Sequence, residues 1–326
     1  MSALKAMGGP DVSVVVGVHN GRPALRETLE NILSQAGVDL ELVLVDDGST
    51  DGSESVLTAY AAREQRIRIV RQEQAGLTSA LIRGCALARG EYIARQDVGD
   101  ISLPGRLRTQ LDWLAARPGT VLASCGMRMV GPRGEVLYEV LRDDGDVSRT
   151  LHTRGPVELD GPPHRRGVRV PAAPPGASSV FRRAAYEKVG GYRAQFYFAQ
   201  DLDLWVRLTE VGDYTVVPEI LYRAAVGPDS ISGHYRREQV ALTQLIAESA
   251  RLRRAGLGDE AVLQRAAAIR PASVSRERRA ARSRALYFIG ACLRKRCDPA
   301  AVEYFKRAIR ENPLLLRAWW RLLSSR

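Results

Sequence analysis

Gly90–Leu107 reads GEYIARQDVGDISLPGRL, and this stretch decides the fold. Tyr92–Ala94 is a short strand-type run that gives way to two acids, Asp97 and Asp100. Ser102 and Pro104 are then expected to open a helix, with Leu107, Leu111 and Leu114 on its apolar stripe. In open parallel sheets, ligands bind beyond the carboxyl ends of the strands. A strand ending in acids therefore predicts a site for a metal ion or a phosphorylated ligand. The plainer alternative, a solvated acidic loop, loses ground once the preceding residues are read.

Upstream, Val12–Val18 (VSVVVGV) is a continuous β-branched run, the pattern of a parallel strand buried on both faces. His19, Asn20 and Gly21 form the turn after it. Pro23 starts a helix whose stripe is Leu25, Leu29, Ile32 and Leu33. Glu41–Val45 (ELVLV) is a second central strand, running straight into Asp46 and Asp47. A helix over about Ser53–Ala62, a strand at Ile67–Val70 and a helix over Gly76–Ala88 follow. The order β-α-β-α-β-α-β predicts a doubly wound sheet. Two of its strand ends carry acids. One Asp after the second strand is explained by helix capping, the pair less well. The turn VHNGRP lacks the GxGxxG of a dinucleotide fold.

Composition narrows the class. The chain has 326 residues, 45% of them apolar, enough for a large core and two units. No apolar run approaches the ~20 residues needed to cross a bilayer. MSALKAMGGPDV holds no signal-peptide core, so a cytoplasmic protein is expected. Cys85, Cys125, Cys292 and Cys297 make no CxxC pair and read as reduced fillers. A net charge of +11 favours anionic partners such as nucleotide phosphates or acidic lipid. With no zinc finger or RNA-binding motif visible, no nucleic-acid partner is expected.

VSVVVGVHNG, ELVLVDDGSTDGS and QEQAGLTSALIRGCALARGEYIARQDVGDISLPGRLRTQ, in that order and spacing, resemble a family 2 glycosyltransferase of GT-A type. The resemblance runs from about Val12 to Ser232. It implies an inverting enzyme that moves a sugar from a nucleotide diphosphate sugar, UDP-sugar being the commonest donor, to an acceptor hydroxyl. It places Gly17, His19, Asn20, Asp46, Asp47, Gly76 and Asp97 at the nucleotide, with Asp47 on the base. Asp97 and Asp100 become the ligands of Mg²⁺ or Mn²⁺, whose affinity for hard oxygen donors suits carboxylates. Two usual ligand positions differ. The loop often written DADD is Asp97–Val98–Gly99–Asp100, and Ala225 stands where many relatives carry His.

Further on, GASSVFRR, AYEKVGGYRAQF and AQDLDLWVRL also match. The family's ED motif is here Gln200–Asp201, which makes Asp201 the expected catalytic base; the alternative is that it only caps the helix of Leu204, Trp205 and Leu208. Asp203 reads as a first-turn acid. Gln200 and Arg223, with His234 as a further cation, are weak candidates for the acceptor or diphosphate side. Thr120–Val130 reads as a strand with a hairpin turn at Gly131–Gly134, and Tyr214–Arg223 as a sheet edge. Asp143–Pro175 reads as a long variable loop whose His152 and His164 lack metal-ligand spacing.

The expected architecture is thus a GT-A-type, Rossmann-like doubly wound mixed sheet over residues 8–235, with a helical extension over 236–326. Ala285–Leu293 and the helix of Ala301, Phe305 and Ala308 resemble one tetratricopeptide-like pair. Arg276–Arg284 and Arg294–Arg296 make this extension basic, either a solvated face or a peripheral membrane contact. Implied partners are the donor and a glycan or lipid-linked acceptor in surface polysaccharide synthesis. The rivals are a sugar nucleotidyltransferase and a catalytically silent binding module.

Overall fold

The computed structural model describes residues 9–141, 176–271 and 275–324; the Asp143–Pro175 loop, with its two histidines, lies outside them. The first half alternates strand and helix: β1 (Val12–Val18), α1 (Arg22–Leu33), β2 (Leu40–Asp47), α2 (Ser53–Ala61), β3 (Ile67–Gln72), α3 (Leu77–Ala86) and β4 (Tyr92–Arg95). Then come β5 (Ile101–Ser102), α4 (Arg106–Ala115), β6 (Thr120–Val130) and β7 (Val136–Val140). After the undescribed segment follow β8 (Val180–Arg182), α5 (Arg183–Lys188), α6 (Gln200–Leu208) and β9 (Asp213–Ala225). The described chain closes with α7 (Ile231–His234), α8 (Arg236–Arg254), α9 (Glu260–Ala267), α10 (Ser275–Lys295), α11 (Ala301–Glu311) and α12 (Leu316–Leu323).

The strands form one sheet in the order β3-β2-β1-β4-β8-β6-β9-β5, with β7 added to β6. β3, β2, β1 and β4 are parallel; β1 and β2 are buried apolar runs as such strands require, while β3 is a half-buried edge strand. β8 enters antiparallel between β4 and β6, and β9 runs parallel to β6, so the sheet is mixed. Alternate residues serve opposite faces. Val14, Val16, Leu42 and Leu44 pack with Leu25, Leu29 and Leu111 of α1 and α4. Val15, Val43 and Ile93 pack with Leu81, Phe181, Leu204 and Trp205 on the other face. Each such fully buried side chain contributes roughly 1.5–3 kcal/mol. β1, β2 and β4 end at the same edge, and this edge carries the site.

Two expectations change. The helix expected to open at Ser102 begins at Arg106, behind a left-handed Gly105 with φ 80°. Ser102 belongs to the sheet edge instead: its N–H donates to Asn31 Oδ1 (2.8 Å) and its hydroxyl to Gln96 Oε1 (2.5 Å). For the same reason β9 lies one strand in from the edge, since Ile101–Ser102 pair outside it.

The residues beyond 235 divide between two cores. Leu242, Ile246 and Ala250 of α8 and Val262 and Ala266 of α9 join the sheet's core. α10 and α11 pack as a pair through Leu286, Ile289, Leu293, Phe305 and Ala308, with Leu137 of β7 beneath them. Among the described residues, no helix is long and apolar enough to cross a membrane.

Candidate active site

The ends of β1 and β2 form a knot of hydrogen bonds around His19. Its Nδ1–H donates to the Asp47 carbonyl (2.8 Å), while Nε2 accepts from the amides of Asn20 and Gln74 (3.1 Å each). These partners assign the neutral Nδ1–H tautomer. Asn20 is left-handed (φ 51°), and its Oδ1 accepts the Thr50 N–H at 2.8 Å. Asp46 Oδ1 accepts the Ser49 N–H (3.0 Å). The buried Asp47 carboxylate reaches forward: Oδ1 accepts from Gln72 Nε2 (2.7 Å) and the Ala75 N–H (2.8 Å), and Oδ2 from the Gly76 N–H (2.8 Å). It therefore fixes the turn into α3, whose Leu77 and Ala80 lie against Gly17. Gly17, His19, Asn20, Asp46, Asp47 and Gly76 are thus gathered at one edge.

The acidic loop beyond β4 splits its two acids. Asp97 keeps 44% of its side chain exposed. Asp100 is buried and turned onto β9: Oδ1 accepts the Ala225 N–H (2.8 Å) and Oδ2 the Tyr222 hydroxyl (2.9 Å). Burial, with the charge of Asp97 acting in the same direction, pushes the Asp100 carboxyl up to about 7. Between them Gly99 has φ +91°, a left-handed conformation in which a side chain is strained. Its N–H is held by Thr28 Oγ1 of α1 (2.9 Å). The two weak cation candidates are engaged elsewhere. Arg223 pairs with Glu27 (3.0 Å), and His234 Nδ1 donates to the Ser230 carbonyl (3.1 Å).

One residue absent from the sequence reading stands at the centre. Arg95, 1% exposed, sends Nη2 to Asp97 Oδ1 and Nη1 to Asp201 Oδ2, each at 2.5 Å. Burial opposes its charge, but Asp201 and Asp97 outweigh that and hold the guanidinium well above its ordinary pKa. Tyr192 completes the group, its hydroxyl donating to Asp201 Oδ1 (2.9 Å). Burial and the Asp201 charge hold this phenol well above its usual range. Asp201 sits in the first turn of α6 but does not cap it; the cap position is Ala199, with φ 56°. Gln200, also buried, begins that helix. Asp203 faces away into an ion pair with Arg207 (2.5 Å). Gly176 closes over the group: a Cβ there would lie 1.9 Å from Asp201 Oδ2 and 2.6 Å from Arg95 Nη1.

Among the described residues, no three His, Cys, Asp or Glu side chains converge as a metal cage. Gly99 and Ala225 offer no side-chain donor, and both Asp100 oxygens already accept hydrogen bonds. Asp97 alone presents an exposed carboxylate with Oδ2 uncommitted. This donor set does not fit an ion held by three protein carboxylates. It fits an ion bound mainly through a ligand's own phosphate oxygens, with Asp97 as the protein's contribution.

The mixed α/β sheet with these residues at its carboxyl edge has the fold of GT-A glycosyltransferases. The mannosyltransferase PcManGT of Pyrobaculum calidifontis, solved with GDP-Man and Mn²⁺, superposes with TM-score 0.56 at 20% identity, over 98% of this chain and 85% of that one. Staphylococcus aureus TarS residues 1–349, solved with UDP, gives TM-score 0.52 at 14% identity, over 92% and 88%. The chain belongs to glycosyl transferase family 2, whose family model matches residues 13–189. A Bacillus subtilis protein named as a glycosyltransferase, EpsE, is 32% identical over 211 residues, 63% of this chain and 68% of that one. An uncharacterised Rickettsia typhi glycosyltransferase is 24% identical over 218 residues, and the chain spans 64% of its length. The chain is therefore a transferase of sugars.

Proposed function

We propose that the chain transfers a sugar, with inversion, from a nucleoside diphosphate sugar to an acceptor hydroxyl, with Asp201 as the base. The observation that carries this reading is Arg95, whose one guanidinium holds the donor-side Asp97 and the acceptor-side Asp201. In the step, the acceptor O–H proton passes to Asp201 and the oxygen bonds to the anomeric carbon. The bond from that carbon to the diphosphate breaks on the opposite face, its electron pair leaving with the phosphate oxygen. Base assistance of this kind contributes ~10²–10⁴-fold. Tyr192 and Arg95 aim the carboxylate. Once a donor is found, proton NMR of the product's anomeric coupling tests inversion; retained configuration contradicts the mechanism.

The donor's nucleotide belongs at the His19–Asp47 edge, and UDP-sugar is the first to try, since the TarS structure holds UDP. Among the described residues Asp47 Oδ2 accepts only the Gly76 N–H, leaving a lone pair for a base N–H. Asp47→Ala should weaken nucleotide binding by ~1–3 kcal/mol by calorimetry, and should also lower the melting temperature by freeing the Ala75 and Gly76 amides. Unchanged affinity removes Asp47 from the base site.

Mg²⁺ or Mn²⁺ bound at Asp97 and the donor diphosphate, with Asp100 behind, would stabilise the charge developing on the leaving group. Mn²⁺ titrated alone should bind weakly, because one open carboxylate does not offset dehydration of the ion, and UDP should strengthen it. Tight Mn²⁺ binding without UDP contradicts this assignment.

A methyl group placed against Asp201 tests its position. Gly176→Ala is expected to cut transfer by about tenfold or more with donor affinity kept, since small misplacements of reacting groups are costly. Wild-type transfer in that variant would show the carboxylate need not be where Gly176 leaves room for it. The acceptor in this reading is a growing surface polysaccharide or a lipid-linked glycan, and contact with a membrane surface through the basic C-terminal helices belongs with the second.

A further inference from the structure

The last described helix, α12, carries its apolar residues outward as well as inward. Ala318 is buried and Leu322 packs against the α10–α11 core. Leu316, Trp319, Trp320 and Leu323, spaced i, i+3, i+4 and i+7, share one stripe, and that stripe faces solvent. Their exposures are 76%, 43%, 61% and 66%, and Leu314 just before them is 83% exposed. Only two other large apolar side chains among the described residues, Leu141 and Leu257, are comparably open, each by itself. Scattered exposed apolar residues are ordinary, whereas a contiguous stripe with two tryptophans marks a surface that is covered in use.

The charge around the stripe selects what covers it. Arg317 and Arg321 lie along its flank on the same helix, Arg321 stacking on Trp320 at 4.9 Å. Arg294 donates to the Arg321 carbonyl (2.8 Å) and to the Ser324 carbonyl (3.1 Å). That places the Arg294–Arg296 run beside the C-terminal end of α12. Residues 291–326 hold nine Lys and Arg against three Asp and Glu, a net +6. A second copy docking stripe to stripe would bring these like charges together. An anionic surface attracts them. Tryptophan and leucine on one face, with arginine at the margin, is the composition of a helix lying in a bilayer interface.

We propose that α12 docks this chain on anionic lipid, with the Leu316–Trp319–Trp320–Leu323 stripe entering the headgroup boundary and the neighbouring arginines pairing with lipid phosphates. The inference deepens the membrane contact proposed above and is independent of the donor and base assignments. Its test is co-sedimentation of the full chain with phosphatidylcholine vesicles, with and without phosphatidylglycerol. The parent should bind the anionic vesicles, less as salt rises, and leave the neutral ones in comparison. The combined Leu316→Gln, Trp320→Gln and Leu323→Gln variant should lose about tenfold or more in vesicle affinity. Lys295→Gln with Arg296→Gln should weaken binding and flatten its salt dependence. All these side chains are exposed, so circular dichroism and donor turnover without vesicles should match the parent. That keeps failure here separate from failure of the transferase reading. Absent binding by the parent, or equal binding by the apolar variant, overturns the proposal. A parent dimer that the apolar variant converts to monomer, with no vesicle binding, would assign the stripe to a second copy instead.

Discussion

Asp201→Asn is expected to lower sugar transfer by at least ~10²-fold while donor binding stays near the parent's. Asparagine keeps the size and shape of the side chain. Its carbonyl oxygen can still accept from Tyr192 or Arg95, as both Asp201 oxygens do now. What it loses is the capacity to take a proton. The proposed nucleotide edge lies at the ends of β1 and β2 and, among the described residues, shares no hydrogen bond with Asp201, so calorimetry with UDP or GDP should be nearly unaffected. A second readout separates chemistry from packing: circular dichroism of the variant should match the parent's, because the side chain keeps its size and its acceptor oxygen. Full transfer activity in this variant would remove Asp201 from the mechanism.

Arg95→Met should be the most damaging single change in the cleft. Arg95 is buried between Asp97 and Asp201, and methionine fills much of its volume while leaving both carboxylates without their shared cation. Asp97 and Asp201 keep 44% and 19% of their side chains exposed, so solvent screens part of the stranded charge, and the variant should fold with reduced stability. Arg95→Lys keeps the charge and is the sharper probe. One ammonium cannot fork to two acids as a planar guanidinium does. The Lys variant should fold, bind nucleotide and transfer sugar at least ~10-fold more slowly, with kcat falling more than KM rises. The Arg95 Nε has no hydrogen-bond partner among the described residues, a cost of ~1–3 kcal/mol that a purely structural residue gains nothing by carrying. Parent-like turnover in Arg95→Lys would reduce Arg95 to an ordinary buried cation.

The parallel half of the sheet was legible because its signals are local. Val12–Val18 and Glu41–Val45 are apolar on both faces, and buried parallel strands require that. His19, Asn20, Asp46 and Asp47 stand at strand ends in the sequence, and the family resemblance is what joins them in one site. Arg95 stands out only when its strand is followed past the apolar residues Tyr92–Ala94. A charged residue continuing a fully buried strand has to be paired, and asking for its partner would have pointed to an acid elsewhere. That acid, Asp201, is 106 residues away, and no local period encodes such a pairing. Asp100 is a different case. The family resemblance pairs it with Asp97 at a metal ion, while the left-handed Gly99 separates the two side chains and Asp100 accepts from Tyr222 and Ala225. The start of α4 was misplaced because Ser102 has a capping residue's chemistry but spends it on the sheet edge.

The proposed transfer requires the bond between a sugar and a nucleoside diphosphate to break at this sheet edge. The most direct measurement is release of free nucleoside diphosphate from a panel of UDP-, GDP- and dTDP-sugars in the presence of Mn²⁺, with the parent and Asp201→Asn run side by side. The parent should release it slowly from at least one donor and faster with a hydroxyl acceptor, and the acceptor-dependent part should be absent in Asp201→Asn. Binding without release from every donor, or pyrophosphate released from a nucleoside triphosphate and a sugar phosphate, would contradict it.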